Sequence, residues 1–147
     1  MVKYICKIRK GLKIMAEKMK IYFDMDGVLA DFNAEKDAVE RFAVEKDFFK
    51  NLQPREQWLN EAKKHIRLGF DVSVITASPN HQADLDKKAW LNKWLPELPL
   101  EKVFICRIGE NKADHVPQVE NAILYDDYGK NCKEWENAGG IAIKVAQ

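Results

Sequence analysis

The stretch YFDMDGVLADF, residues 22–32, places two aspartates one residue apart where an apolar strand gives way to a glycine turn. Side chains two residues apart on an extended segment point to the same side, so the carboxylates of Asp24 and Asp26 face one small volume. Like charges held this close repel each other unless a cation lies between them. The pattern therefore indicates a chemical site rather than a solubility feature.

Five short apolar runs predict β-strands. β-branched and aromatic residues fill these runs, and helical patterns or turns separate them, which is typical of βαβ units and a parallel sheet. The predicted strands are residues 20–24, 71–76, 102–106, 122–126 and 140–145. We expect an α/β fold with a doubly wound, Rossmann-like parallel sheet.

Helical patterns lie between the predicted strands. Gly69, Pro96 and the pair Gly139–Gly140 are natural ends for three of the helices. We expect residues 33–70 to form a small helical cap inserted after the first strand, within one domain that spans residues 20–147. The predicted helices are residues 33–50, 54–68, 82–95 and 129–138.

The charge is distributed unevenly along the 147 residues. The whole chain has a formal charge of +1, but residues 1–19 carry six basic residues and one acidic residue, so the body is mildly acidic. This leader has three interpretations: a basic surface helix, a contact for an anionic surface, or sequence upstream of a natural start at Met19. We favour the third, because a predicted strand begins directly after Met19.

Partners and location follow from what the sequence lacks. The near-neutral charge gives no reason to expect a nucleic-acid or membrane partner. No apolar run is long enough for a transmembrane helix. The three cysteines are odd in number and have no CxxC spacing, which favours free thiols in the cytoplasm.

Three predicted strands end on polar residues that can carry chemistry, namely Asp24, Thr76 and Asp126. In open parallel sheets, ligands bind beyond the carboxyl ends of the strands, so these residues are expected to meet there together with Asp26 and Asp127. One acid at a strand end is commonly a helix cap, but this set requires a hard cation, and Mg²⁺ suits carboxylate ligands.

Thr76 and Lys112 are weaker candidates for phosphate binding. A hydroxyl followed by backbone N–H groups, beginning with that of Ala77, can cradle a phosphate at a strand-to-helix turn. Threonines also cap helices, and lysines are mostly solvated. A lysine is nevertheless needed, because a phosphate and an attacking carboxylate repel each other.

Four motifs together resemble the haloacid dehalogenase-like (HAD) hydrolase superfamily. IYFDMDGVLADF is similar to its first motif and VSVIT to its second, while Lys112 matches the third by order and ILYDD the acidic fourth. The resemblance covers residues 20 to 145. An aspartate rather than a small residue two positions after Asp24 favours phosphate chemistry over dehalogenation.

The resemblance implies Mg²⁺-dependent hydrolysis of phosphomonoesters. Asp24 would be the nucleophile that forms an aspartyl-phosphate, and Asp26 would be the acid and then the base. The Asp24 side chain, the Asp26 backbone carbonyl and Asp126 would hold Mg²⁺ with support from Asp127. Thr76, Ala77 and Lys112 would bind the phosphate.

Within the superfamily, DMDGVLADF is closest to the 5'(3')-deoxyribonucleotidases, which implies a deoxynucleoside monophosphate as substrate. In that family an aromatic residue at the position of Phe32 lines the nucleoside pocket. Phe48, Phe49 and Trp58 either complete this wall or pack in the core. The alternatives are another phosphate, such as a sugar phosphate or a nucleic-acid terminus, or a non-catalytic phosphate-binding protein. The sequence leaves the oligomeric state open.

Overall fold

The computed structural model describes residues 19–147, which contain a five-stranded, all-parallel sheet with flanking helices. The strands are β1 (Lys20–Phe23), β2 (Asp71–Ser78), β3 (Val103–Arg107), β4 (Ile123–Asp126) and β5 (Ile141–Lys144). Their order across the sheet is β3-β2-β1-β4-β5, so the chain first builds outward from β1 and then crosses to its other side. The topological switch point, where such sheets bind ligands, lies between β1 and β4.

The predicted α/β class and all five predicted strands are confirmed. The largest difference is in β2, which continues two residues beyond the predicted end at Thr76. Ala77 and Ser78 extend it because they pair with Cys106 and Arg107 of β3. Thr76 therefore lies inside the strand.

Three of the four predicted helices are confirmed to within two residues at every boundary. The helices are α1 (Ala38–Arg41), α2 (Glu56–Arg67), α3 (His81–Trp94) and α4 (Gly129–Asn137). The Asn80 side chain caps α3 by accepting a hydrogen bond from the backbone N–H of Ala83.

The predicted helix over residues 33–50 is wrong. This segment contains only the four-residue α1 and parts of two 3₁₀ turns, Phe32–Ala34 and Phe49–Asn51. Asp37 and Asp47 adopt left-handed backbone conformations, with φ of 53° and 59°, and no α-helix continues through such residues. The apolar residues of this segment instead fold onto each other.

The core has two layers because neighbouring residues of β1 point to opposite faces of the sheet. Phe23 packs on one face with Leu59 and Ala62 of α2 and with Trp90 of α3. Tyr22 packs on the other face in a second cluster, whose other buried members are Ile75, Cys106, Ala122, Leu124 and Trp135. Helix α2 is thus a connection between β1 and β2 that packs on the sheet.

The proposed division into leader, cap and hydrolase domain remains a prediction, and residues 1–18 of the leader lie outside the described residues. Within residues 19–147, no helix has the length and apolar character needed to cross a membrane.

Candidate active site

The candidate site lies at the carboxyl ends of β1 and β4, beside the switch point. Asp24 directly follows β1 and is held against β4, because its backbone N–H donates to the carbonyl of Tyr125 at 2.9 Å. Asp126 is the last residue of β4. The two side chains are buried, with residue exposures of 6% and 0%. The predicted convergence of these strand-end acids is therefore present in the structure.

Lys112 joins these two acids. Its Nζ lies 2.9 Å from Oδ1 of Asp24 and 2.6 Å from Oδ2 of Asp126. It begins a 3₁₀ turn that the Asn111 side chain caps by accepting from the backbone N–H of Ala113. Burial acts to lower the pKa of Lys112, but Asp24 and Asp126 outweigh burial and raise it above its ordinary value. The lysine is thus a fixed positive charge at the site.

Asp127 completes a group of three carboxylates. Asp24, Asp126 and Asp127 each offer an oxygen, and these three oxygens lie within 4.8 Å of one another. Burial raises the pKa of the Asp24 carboxyl well above its ordinary value, Lys112 opposes the increase, and Asp126 adds to it. Burial and Asp126 also raise the pKa of Asp127. One ammonium does not balance three carboxylates, so the donor set fits a divalent, oxygen-seeking cation such as Mg²⁺.

Asp126 is also tied to the start of α4. Its Oδ1 accepts a hydrogen bond from the backbone N–H of Tyr128 at 2.9 Å, and the side-chain amide of Asn131 lies 3.2 and 3.1 Å from its two oxygens. Sequence analysis missed Asn131. The sequence signal that could have identified Asn131 is its position in the first turn of the helix that follows Asp126 and Asp127. A side chain in that turn faces back toward the end of the strand.

The glycine of the DMDG turn is required by its surroundings. Gly27 has a φ of +81°, and a Cβ added there would collide with the Asp127 carboxylate. The Gly27 carbonyl accepts hydrogen bonds from the Arg55 guanidinium and, at 3.0 Å, from the Gln147 side chain. Gln147 also lies 3.3 Å from Oδ2 of Asp127. The turn and Asp127 are therefore fixed together.

Asp26 has a different environment from the other acids. Its Oδ2 lies 2.5 Å from Nζ of Lys87, and its Oδ1 has no hydrogen-bond partner among the described residues. The carboxylate of Asp26 is not part of the group of three. The assignment of its backbone carbonyl to Mg²⁺ stays a prediction.

Lys87 of α3 is the main residue that sequence analysis missed. It is fully buried, and its Nζ also donates to Oγ1 of Thr76 at 2.8 Å and to the carbonyl of Ala77 at 2.7 Å. Lys87 lies four residues after Ala83 and four before Leu91, on the buried face of α3. A lysine within an apolar helical stripe was the signal that could have identified it.

Phe32 lies in an aromatic cluster and not alone over the site. Its ring centroid is 6.1 Å from that of Phe42, 5.7 Å from Phe48 and 6.5 Å from Phe49. The cluster reaches the site through Phe49, whose ring centroid lies 4.3 Å from Nζ of Lys87. Trp58 instead packs on Tyr125, with a centroid distance of 5.6 Å.

A cleft of about 430 Å³ separates the segment after α1 from the start of α3. Aromatic and polar side chains line it together, and Phe49 brings it next to Lys87. Its lining includes Phe42, Val44, Phe49, Asn80, Gln82 and Asp86.

The chain matches no protein-family model and no curated protein sequence. It does resemble solved structures. A chain of the Pnkp1/Rnl/Hen1 complex superposes with a TM-score of 0.62 at 14% identity, covering 86% of this chain and 45% of that one. The present chain thus spans less than half of that protein.

A second similar structure has nearly the same extent as this chain. It is an inactive mutant of the HAD domain of the effector protein Lem4 from Legionella pneumophila. The TM-score is 0.50 at 15% identity, and the match covers 88% of this chain and 85% of that one. Together with the five-stranded parallel sheet, this likeness gives the chain the fold of a HAD domain.

Proposed function

We propose that the protein is a Mg²⁺-dependent phosphomonoester hydrolase that acts through an aspartyl-phosphate on Asp24. The observation that carries this proposal is the buried contact of Asp24 with Lys112, beside the carboxylates of Asp126 and Asp127. A binding protein would not need a nucleophile-like carboxylate and an acid, Asp26, at one strand end. The fold of a HAD domain adds support to this reading.

In the first proposed step, a carboxylate oxygen of Asp24 attacks phosphorus and the bond from phosphorus to the leaving oxygen breaks. Asp26 gives its proton to that oxygen. In the second step, Asp26 takes a proton from water, the water oxygen attacks the phosphoryl group, and Asp24 is released together with inorganic phosphate. One residue thus acts first as an acid and then as a base, which divides one difficult displacement into two easier steps.

The positive groups of the site support the first step. Lys112 holds the attacking carboxylate and offsets its repulsion from the phosphate. The Thr76 hydroxyl and the backbone N–H of Ala77 are proposed to bind phosphate oxygens. The side chains of Asp24 and Asp126 and the backbone carbonyl of Asp26 would hold Mg²⁺, with support from Asp127. When bound, the ion supplies further positive charge for the phosphate oxygens.

For the substrate we propose a deoxynucleoside monophosphate. We also propose that the protein acts in the cytoplasm and has no stable nucleic-acid or membrane partner. Support comes from the similarity of DMDGVLADF to the deoxyribonucleotidases and from the aromatic cluster of Phe32 beside Phe49. The neighbouring cleft of about 430 Å³ is in the size range of small-molecule sites.

The activity is tested by a hydrolysis screen over nucleotides, sugar phosphates and p-nitrophenyl phosphate, with Mg²⁺ and with a chelator. We expect release of phosphate only with Mg²⁺, and the largest kcat/KM for deoxynucleoside monophosphates. Asp24→Asn should lose this activity and keep its fold. Activity of that variant within about tenfold of wild type would exclude the nucleophile role.

The substrate class is tested separately with Phe32→Leu, and Phe48→Leu is the matched control, because Phe48 belongs to the same cluster but does not line the cleft. If Phe32 stacks on a base, its loss should lower kcat/KM for deoxynucleotides by roughly ten- to a hundredfold, in line with base–aromatic stacking energies, and leave p-nitrophenyl phosphate almost unchanged. Equal losses for both substrates, or the same pattern in Phe48→Leu, would make Phe32 a packing residue and remove the deoxynucleotide assignment.

A further inference from the structure

We propose that Lys87 is a positioning residue that fixes the Asp26 carboxylate for proton transfer, and that it does not bind the substrate phosphate. This inference rests on the proposed function, because it assigns a task within that reaction.

The Lys87 ammonium has no free donor. An ammonium has three N–H groups, and three acceptors surround this one: Oδ2 of Asp26 at 2.5 Å, Oγ1 of Thr76 at 2.8 Å and the carbonyl of Ala77 at 2.7 Å. The Phe49 ring, with its centroid 4.3 Å away, covers a further side. A phosphate oxygen could bind Lys87 only by displacing one of these acceptors.

Lys112 provides the contrast within the same site. Among residues 19–147, its ammonium contacts two acceptors, the carboxylates of Asp24 and Asp126. One N–H therefore remains for a phosphate oxygen. The two lysines differ in donor capacity, and only Lys112 is arranged as a phosphate ligand.

The two oxygens of the Asp26 carboxylate have different surroundings. Lys87 occupies Oδ2, so Oδ1 is the oxygen left to carry the proton and pass it to the leaving group. Oδ1 is buried and has no hydrogen-bond partner among the described residues. The contact with Lys87 thus holds one oxygen of the carboxylate in place and leaves the other without a competing hydrogen bond among the described residues.

Lys87 is itself held in place by its helix. It lies in the middle of α3, where the next turn buries Trp90 and Leu91. The indole N–H of Trp90 donates to the carbonyl of Leu52 at 2.8 Å, which joins α3 to the end of the segment between β1 and α2. A side chain that is fully buried on a fixed helix can impose a geometry on Asp26.

Leaving-group dependence separates this role from phosphate binding. Poor leaving groups need a proton as they depart, whereas p-nitrophenolate does not. If Lys87 positions the acid, its removal should therefore harm only substrates with poor leaving groups. If Lys87 binds the phosphate, its removal should lower kcat/KM equally for all substrates, and inorganic phosphate should bind more weakly.

The experiment uses Lys87→Met, with Lys112→Met as the comparison. For each, kcat/KM is measured with a deoxynucleoside monophosphate and with p-nitrophenyl phosphate, because kcat/KM reports the step in which the leaving group departs. The inhibition constant of inorganic phosphate is measured in parallel. Should Lys87→Met fail to fold in a melting assay, Lys87→Gln, which keeps a donor group of similar length, is measured in the same way.

For Lys87→Met we expect kcat/KM for the nucleotide to fall by about a hundredfold or more, which is the scale of general acid catalysis, with p-nitrophenyl phosphate falling by less than about tenfold. The inhibition constant of phosphate should change by less than about threefold. Lys112→Met should instead lower both kcat/KM values alike and weaken phosphate inhibition.

Equal losses for the two substrates in Lys87→Met, or phosphate inhibition weakened as in Lys112→Met, would overturn the inference and leave the proposed function standing. A wild-type protein without Mg²⁺-dependent phosphatase activity would overturn the proposed function, and this inference with it.

Discussion

Lys112 and Lys87 are both buried at the same edge of the sheet, but the charges around them differ. Lys112 meets Asp24 and Asp126, with Asp127 close by, so three carboxylates share one ammonium. Lys87 meets one carboxylate and two neutral oxygens. Charge is thus balanced around Lys87, while the region around Lys112 keeps an excess of negative charge that a divalent cation can relieve.

The two lysine environments are suited to two different tasks within one small fold. A region with excess negative charge is costly without its cation, and that cost is what allows it to bind the metal. A balanced region needs no ligand and can hold a side chain in one geometry. The predictions below test this contrast in order of decreasing effect.

The largest effect should come from removing the lysines in the presence of a chelator. Lys112→Met leaves two buried carboxylates without their cation and should lower the free energy of unfolding by about 3–5 kcal/mol, the range for a broken buried ion pair. Lys87→Met should cost less, because the side chain of Asp26 is 23% exposed and water can reach it. Urea unfolding measures both, and a Lys87→Met variant at least as destabilised as Lys112→Met would contradict the contrast.

Asp127→Asn is expected to change the stability less than the lysine variants do, and to increase it. Burial and Asp126 raise the pKa of Asp127, so its ionised form opposes folding at neutral pH when no metal is bound. Removing this charge should raise the melting temperature in chelator and reduce the further increase that Mg²⁺ produces.

Asp126→Asn is the matched comparison for that variant. It should lose more of the Mg²⁺-induced increase than Asp127→Asn, and it should also be less stable in chelator, because Asp126 pairs with Lys112 and accepts from Tyr128. Melting curves with and without Mg²⁺ decide the order. If the two variants exchange places, the assignment of Asp126 as the principal ligand must be reversed.

The smallest effect belongs to an ion pair outside the site. Arg107 donates to both oxygens of Asp84, at 2.7 and 2.8 Å, and these bonds lower the pKa of Asp84. Because the folded-state pKa is below the unfolded one, this stabilisation is complete above the unfolded pKa and is lost as the pH falls through the folded value.

Arg107→Gln should therefore lower the melting temperature slightly at neutral pH and not in strong acid. Arg107 is half exposed and water screens the pair, so its loss should destabilise less than that of either buried lysine. If Arg107→Gln lowered the melting temperature at neutral pH as much as Lys112→Met does, solvent exposure would not explain the difference in stabilisation between these ion pairs.

The sheet and most of the acids could be predicted because their signals are local. Each strand is a short run of β-branched and aromatic residues, and Asp24 and Asp126 follow such runs directly. The parallel topology then brings them together without further information. Lys112 was found only by its order among the motifs.

The remaining features depend on contacts between distant residues. The helix expected over 33–50 is replaced by turns, since Phe32 packs on Phe42, Phe48 and Phe49. The contact of Lys87 with Asp26 joins residues that are 61 positions apart in the sequence. The contacts of Arg55 and Gln147 with Gly27 have no local signal either. These features depend on packing between residues that are far apart in the sequence, and the periodicity of apolar residues along the chain does not predict such packing.

In the proposed reaction, the phosphoryl group passes through Asp24. The direct measurement uses Asp26→Asn with Mg²⁺ and p-nitrophenyl phosphate. The p-nitrophenolate leaving group needs no proton, so the phospho-enzyme can still form in this variant. Hydrolysis of the phospho-enzyme needs Asp26, so the intermediate should accumulate. We expect a burst of about one p-nitrophenol per protein and, by mass spectrometry of the quenched protein, one phosphoryl group on Asp24. The expectation would be contradicted if this variant or the wild type turned over with a phosphoryl group on a residue other than Asp24. It would also be contradicted if the variant formed p-nitrophenol while no phosphoryl group was attached to the protein.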